Sequence, residues 1–246
     1  MAEPAEGINV VRLDPDIVSL ARAYLANRVK DLDTIRAALK RQDYDAIHGI
    51  GHNMHGSGRM FGFAELTKLG VSLQQAVNAR DTAEIGRVAS CMEAYLLSTR
   101  IEAGSPDDAG LQLDAANDGL PEIRPYILVV DDDAMSRILI AHYLENAGYA
   151  VREAAGGGEA LAIIQEQTPP ALVLLDVVMP GMNGLEVCRR IKARAESATI
   201  PVVLLSALER KDDRMDGMQA GADDFVTKPV SRAALLHRVS TLVPAA

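Results

Sequence analysis

Cysteine is scarce in this chain. Only Cys91 and Cys188 occur among 246 residues. They lie in different halves, each within an apolar-periodic helix pattern, so no disulfide framework is indicated and a reducing cytoplasm is the expected location. Basic residues are also outnumbered, 25 Lys and Arg against 34 Asp and Glu, for a net charge of −9. That argues against a nucleic-acid partner gripped by its phosphates, because such binders present a basic face. No apolar run approaches the roughly 18–20 residues that span a bilayer, so no membrane association is expected. The opening "MAEPAEGINV" is acidic and lacks the basic-then-apolar layout of a secretory signal. What remains is 48% hydrophobic, an ordinary globular composition in a chain long enough for one large domain or two small ones.

The first half reads as helices, with no strand signal. Asp14-Pro15 supplies a capping side chain followed by proline at the first helical position. From there Ile17, Ala21, Leu25, Leu32, Ile35 and Leu39 follow a helical stripe to about residue 41. A second helix is predicted from about Tyr44 to about Met60, and a third through Leu66, Leu69, Leu73 and Val77. The fourth opens with a capping box, Asp81 with Glu84, and continues through Ile85, Val88, Met92 and Leu96. Short connections favour antiparallel neighbours, so residues 1–103 are expected to form an all-α, up-down four-helix bundle. Residues 104–124, rich in Gly, Pro and Asp, read as a linker in which Leu111, Leu113 and Leu120 offer apolar contacts.

From residue 125 to 246 the pattern alternates. "YILVV" (126–130), "ALVLL" (171–175) and "PVVLL" (201–205) are short, continuously apolar runs that suit strands buried on both faces of a parallel sheet. "YAVREA" and "DDFVTK" read as two more peripheral strands, and helical patterns separate all five. The expected fold is an α/β doubly wound five-stranded parallel sheet. Its chemistry should lie beyond the carboxyl ends of the strands. Those ends carry Asp131 and Asp132, then Asp176, then Ser206, then Lys228 before Pro229. Three carboxylates gathered in one place repel one another, which a hard divalent cation with oxygen ligands relieves. The set suits phosphoryl transfer to a carboxylate, with Lys228 and Ser206 meeting the phosphoryl oxygens. A polar turn and a surface lysine are the plain alternative. "GGGEAL" at 156–161 lacks the Gly-Lys-Ser/Thr ending of a nucleotide loop and reads as a helix start.

"VVDDD", "LLDVVMPGMNG", "VVLLSA" and "FVTKP" stand in the order and at the intervals of a response-regulator receiver domain, which residues 125–244 resemble. The resemblance implies the strand order 2-1-3-4-5 of the CheY-like fold, with Asp176 as phospho-acceptor. It implies a Mg²⁺ (or Mn²⁺) site at Asp131, Asp132, Asp176 and the Val178 backbone carbonyl. Lys228 becomes the phosphate partner, and Ser206 and Phe225 the hydroxyl and aromatic of a conformational switch. It also leaves room for weak self-association through the receiver. Val178 and Leu208, two residues beyond Asp176 and Ser206, are apolar and cannot orient an attacking water, so a slowly hydrolysing phospho-Asp176 is expected.

"HNMHGSGRM" (52–60) follows His48 by one helical turn. At 100° per residue, Ile47, Ile50, Met54 and Phe61 share one face of about 60°, while His48, His52, His55 and Arg59 share a second arc roughly 100° away. Glycine in a helix costs about 1 kcal/mol relative to alanine, so Gly49, Gly51 and Gly56 require a reason. Close approach by another protein's backbone is one. The histidines can carry a phosphoryl group, bind a metal through the i, i+4 pair His48 and His52, or simply lie on the surface. "GHNMHGSGRMFG" is similar to the phosphotransfer helix of a histidine-containing phosphotransfer (Hpt) domain, over roughly residues 8–103. The resemblance implies His52 as the phospho-histidine and Gly56 as the glycine that admits a docking receiver. His55 stands where the family usually has lysine, and it would support a phosphoryl group only when protonated.

The chain therefore reads as a two-component phosphorelay protein, with phosphoryl groups on His52 and Asp176. Its partners would be a histidine kinase and other receiver or Hpt proteins. It shows no ATP site of a kinase. Across a linker of this length, estimated at about 25 Å end to end, transfer between its own domains is geometrically feasible. A phosphorylation-gated binding switch, or a phosphate sink without onward transfer, is the alternative.

Overall fold

In a computed structural model, the chain is described at residues 8–104, 125–166, 168–206 and 216–243. It divides into two compact units, 1–110 and 111–246. Linker residues 105–124 and Leu208 lie outside the described residues.

The first unit is built on four helices: α1 (Val18–Arg41), α2 (Tyr44–Ser57), α3 (Ala64–Asn78) and α4 (Thr82–Ser98). Asp14 caps a 3₁₀ turn, Pro15–Ile17, that leads into α1. Asp43 and Asp81 cap α2 and α4, each accepting a backbone N–H from three residues on. Only half of the expected capping box forms, because the Glu84 carboxylate turns to Arg87 instead. The buried face of α1 is Ala21, Tyr24, Arg28, Leu32, Ile35 and Ala38, with Leu25 and Leu39 half-buried at its margin. Tyr24 belongs on that face because two of the chain's three phenylalanines stack on it. Its ring centroid lies 4.6 Å from that of Phe61 and 5.7 Å from that of Phe63. The Arg28 guanidinium lies 4.9 Å from the centre of the same ring and 3.0 Å from Asp31.

To the helices the structure adds a feature not expected from sequence. β1 (Asn9–Leu13) and β2 (Thr99–Ala103) form a two-stranded parallel ribbon, with Val11 opposite Ile101 and Arg12 opposite Glu102. The strands are five residues each and are separated by all four helices, so no local pattern announces their pairing.

One glycine of α2, Gly51, is explained within the bundle. At Gly51 a Cβ would lie 3.0 Å from the Gly70 carbonyl oxygen, and at Gly70 it would lie 2.6 Å from both the Gly51 oxygen and the His55 nitrogen. The close approach is thus internal, between α2 and α3. Gly56 is buried, and only at Gly49 does a Cβ meet open space.

The second unit contains β3 (Tyr126–Val130), α5 (Ala134–Glu145), β4 (Ala150–Ala154), α6 (Gly157–Ile164), β5 (Leu172–Asp176), α7 (Gly184–Lys192), β6 (Val202–Ser206), β7 (Asp224–Thr227) and α8 (Arg232–Leu242). Residues 216–219 are also helical. All strand pairs are parallel, in the order β4-β3-β5-β6-β7. That is the expected 2-1-3-4-5 arrangement within this unit. β3, β5 and β6 are buried at every position, as their unbroken apolar runs require. Cys188 is packed in this core with its Sγ 3.4 Å from the Ala220 oxygen, and burial pushes its thiol up to about 11. Both cysteines are free thiols. Among the described residues no helix is long and apolar enough to cross a membrane.

Candidate functional site

The site in the second unit forms where three buried strands end side by side. β3 runs into Asp131 and Asp132, β5 terminates at Asp176, and β6 terminates at Ser206. Ligand oxygens of Asp131, Asp132 and Asp176 all lie within 4.8 Å of one another. Lys228 enters from the end of β7, and its backbone N–H donates to the Ser206 carbonyl at 2.7 Å. Its Nζ donates to Asp131 Oδ2 at 2.8 Å and lies 2.9 Å from Asp176 Oδ2, with the side chain only 4% exposed. The one ammonium thus sits between the two carboxylates.

The backbone around these groups is braced. Asp131 Oδ1 accepts the Asp133 N–H, and Asp133 caps α5 by accepting from Met135 N and Ser136 Oγ. Arg137, on α5, donates to the Asp131 carbonyl at 2.6 Å and pairs with Glu153 on β4. Behind Asp176, a Cβ at Gly184 would collide with the Asp176 carbonyl oxygen. Glycine is therefore needed where α7 starts against the end of β5. Asn183 caps that helix by accepting the Glu186 N–H at 2.9 Å.

Three clustered carboxylates with one ammonium leave excess negative charge in a dry place. Burial pushes Asp131 up to about 6, against the pull of Lys228 and with a further push from Asp176. Burial and the neighbouring Asp131 raise Asp132 to about 6 as well. Asp176 is also raised by burial, and Lys228 opposes the shift. Asp132 Oδ1 is buried with no hydrogen-bond partner. An unsatisfied anionic oxygen beside two further carboxylates fits a hard divalent cation such as Mg²⁺.

Because the folded-state values of Asp131 and Asp132 are raised, the fold holds protons that the unfolded chain releases at about pH 4. Their contribution is most favourable below pH 4 and is lost as pH rises through about 6. Asp132→Asn removes one of these charges, and at pH 7 it should stabilise the metal-free protein by about 1 kcal/mol, allowing for partial access to water. Thermal unfolding with and without Mg²⁺ checks this. The variant should melt about 3–5 °C higher without metal and gain less from Mg²⁺ than the parent, while the parent's gain should fade as pH drops toward 5.

The remaining sequence-predicted positions are also placed. The Ser206 residue is buried, and the Phe225 ring is half-buried, packed on Gly217 and near Leu204. Val178 is 48% exposed, two residues beyond Asp176, and its backbone N–H interacts with the Asp176 carboxylate. In the first unit, His48, His52 and His55 are half-buried on α2. Among the described residues no metal-competent cluster includes these histidines. Gly70 and Arg137 are site-supporting residues that sequence reasoning missed. Nothing in the local pattern marks Gly70, whereas a cation one turn into the helix after an acidic strand end is a signal for Arg137.

The comparisons with known proteins also find two domains in the chain. Residues 127–240 match the Response regulator receiver domain family, and residues 19–116 match the Hpt domain family. Apart from Protein PilH, the relatives are regulators by name. The chain is 40% identical over 121 residues to the DNA-binding dual master transcriptional regulator RpaA of Synechocystis, covering 48% of this chain and 49% of that protein. It is 34% identical over 117 residues to Protein PilH of Pseudomonas aeruginosa, covering 48% of this chain and 96% of PilH. The chain spans about half the length of the curated relatives it first matches. The solved structure of Vibrio cholerae chemotaxis protein CheY4 is similar at 29% identity and a TM-score of 0.47, covering 49% of this chain and 99% of that one. The chain belongs to the response-regulator receiver family and carries an Hpt domain ahead of its receiver, the domain pair of a two-component phosphorelay protein.

Proposed function

We propose that the chain relays phosphoryl groups through His52 and Asp176, with histidine kinases or other receiver and Hpt proteins as partners. The observation that carries the reading is the Lys228 ammonium, set 2.8 Å from Asp131 and 2.9 Å from Asp176 beside Asp132. This is a carboxylate nucleophile with its counter-charge already in place. In transfer toward the receiver, an Asp176 carboxylate oxygen attacks the phosphorus of phospho-His52 in line. The P–O bond forms as the P–N bond breaks, and the electron pair returns to the imidazole nitrogen. The reverse step consumes the acyl phosphate and restores the carboxylate. Lys228 and the Ser206 hydroxyl meet phosphoryl oxygens, and Gly184 keeps the Asp176 backbone fixed. Mg²⁺ or Mn²⁺ held by Asp131, Asp132, Asp176 and the Val178 carbonyl would neutralise charge on the phosphoryl group. On α2, His55 would support the phosphoryl group on His52, and Gly56 would leave room for a receiver. Ser206 and Phe225 would report phosphorylation to the surface.

The test is phosphorylation of the full chain with Mg²⁺ and a labelled small phospho-donor, beside His52→Ala and Asp176→Ala. Phosphohistidine is base-stable and the acyl phosphate base-labile, so chemistry identifies the carrier. Base-stable label that disappears in either variant is expected for a relay within the protein. Label confined to Asp176, with no passage to or from His52 even when partner receivers and kinases are supplied, would refute the relay and leave a phosphorylation-gated switch.

A further inference from the structure

The ribbon appended to the helical unit has an open edge whose chemistry is self-complementary. Gly104 N–H donates to the Leu13 carbonyl on β1 at 2.9 Å. By the alternation of a parallel ladder, Arg100 and Glu102 also direct their backbone groups toward β1, and Thr99, Ile101 and Ala103 direct theirs to the opposite edge. That edge has no strand neighbour among the described residues. It borders an open groove of about 320 Å³ between β2 and α1, lined by Arg22, Leu25 and residues 99–102. Leu97, two residues before the strand, is 84% exposed, and Val29, one turn beyond Leu25, is 52% exposed. Unpaired strand edges flanked by apolar surface are pairing sites unless something blocks them.

We propose that two copies of this chain associate by pairing β2 antiparallel with its own counterpart, about a twofold axis at Ile101. The sequence "TRIEA" carries the argument. In that register the two Ile101 residues exchange both backbone hydrogen bonds, and each Thr99 does the same with Ala103 of the second copy. Every outward backbone group of the strand is then satisfied. Arg100 falls opposite Glu102 of the second copy in the non-hydrogen-bonded position, where side chains approach most closely. The reciprocal pair follows from the symmetry. Within one copy Glu102 already faces Arg12 at 3.6 Å, so the opposite charges continue across the four-stranded sheet. Sliding the strands by one step of two residues would set Arg100 against Arg100 or Glu102 against Glu102, so the charges select a single register. The contact is small, and the dimer is therefore weak and transient, micromolar or weaker.

Sedimentation velocity of the full chain from low to high micromolar concentration tests the proposal. A monomer–dimer equilibrium is expected. Arg100→Glu and Glu102→Arg should each weaken it about tenfold or more, by setting like charges across the axis. Combining them should restore it, since the Arg12 pair lost in the process is exposed and contributes little. Both positions are exposed, and unchanged circular dichroism would confirm folded variants. A protein that stays monomeric at the highest concentration, as it would if its own chain covered the edge, overturns the proposal. So does a dimer insensitive to both single changes, which would place the contact elsewhere, such as on the receiver.

Discussion

Replacing Lys228 with methionine should abolish phosphoryl capture at Asp176 and lower the stability of the receiver by about 3–5 kcal/mol at pH 7. The side chain keeps most of its length and loses its charge. Asp131 and Asp176 are then left in a buried site without their ammonium, and breaking one side of a buried ion pair leaves the other side's desolvation uncompensated. The loss should depend on pH with a definite sign. Burial already raises Asp131 to about 6 with Lys228 present, and removing the cation raises it further. The folded variant therefore takes up protons that the unfolded chain gives up near pH 4, and its stability falls as pH rises through and beyond 6. Urea unfolding at pH 5 and pH 7 should show a much smaller difference between variant and parent at the lower pH. Adding Asp131→Asn to Lys228→Met should recover part of the stability at pH 7 and none of the phosphorylation. A Lys228→Met protein as stable as its parent at pH 7 would show that the ammonium is not the counter-charge of this site.

The receiver was legible because its signals are local. Continuous apolar runs such as Tyr126–Val130 and residues 202–205 suit strands covered on both faces. Once the sheet is parallel, every strand end points to the same edge, and the acids, the hydroxyl and the lysine converge without any knowledge of distances. The contact between Lys228 and Asp131, 97 residues apart in sequence, then follows from topology. The helical unit was legible only in part. Its caps at Asp14 and Asp81 act within a few residues and are visible in the sequence. The β1–β2 ribbon is not, because five residues at each end of a bundle pair only after all four helices have packed. The choice of Tyr24 over Leu25 for the buried face of α1 likewise depends on Phe61 and Phe63, which arrive from another part of the chain. Of the α2 glycines, Gly51 signals a close approach, but the sequence does not say whose backbone approaches.

The approach of α3 to α2 makes Gly70 a sensitive position of the helical unit. Gly70→Ala is expected to destabilise it by about 1–3 kcal/mol, even though alanine is the better helix former by about 1 kcal/mol. The reason is what the new methyl group meets. Its neighbours at 2.6 Å would be the Gly51 oxygen and the His55 nitrogen, both backbone atoms of α2, with Met54 Cβ at 3.0 Å. A flexible side chain could swing aside, but a hydrogen-bonded helix must move as a body. α2 carries His52 and His55, so the same shift would misplace the proposed phospho-histidine. A displacement of about 1 Å at a reacting group costs on the order of 100-fold in rate. Gly86→Ala in α4 is the matched control, since a Cβ there meets nothing within 4 Å. It should stabilise the protein by about 0.5–1 kcal/mol and leave transfer unchanged. Denaturant unfolding and phosphotransfer from a phosphorylated partner receiver, measured on both variants, separate the two effects. Gly70→Ala should lose far more rate than its folded fraction explains. If its transfer is normal at temperatures where it is fully folded, α2 has accommodated the methyl group without turning His52, and Gly70 serves packing alone.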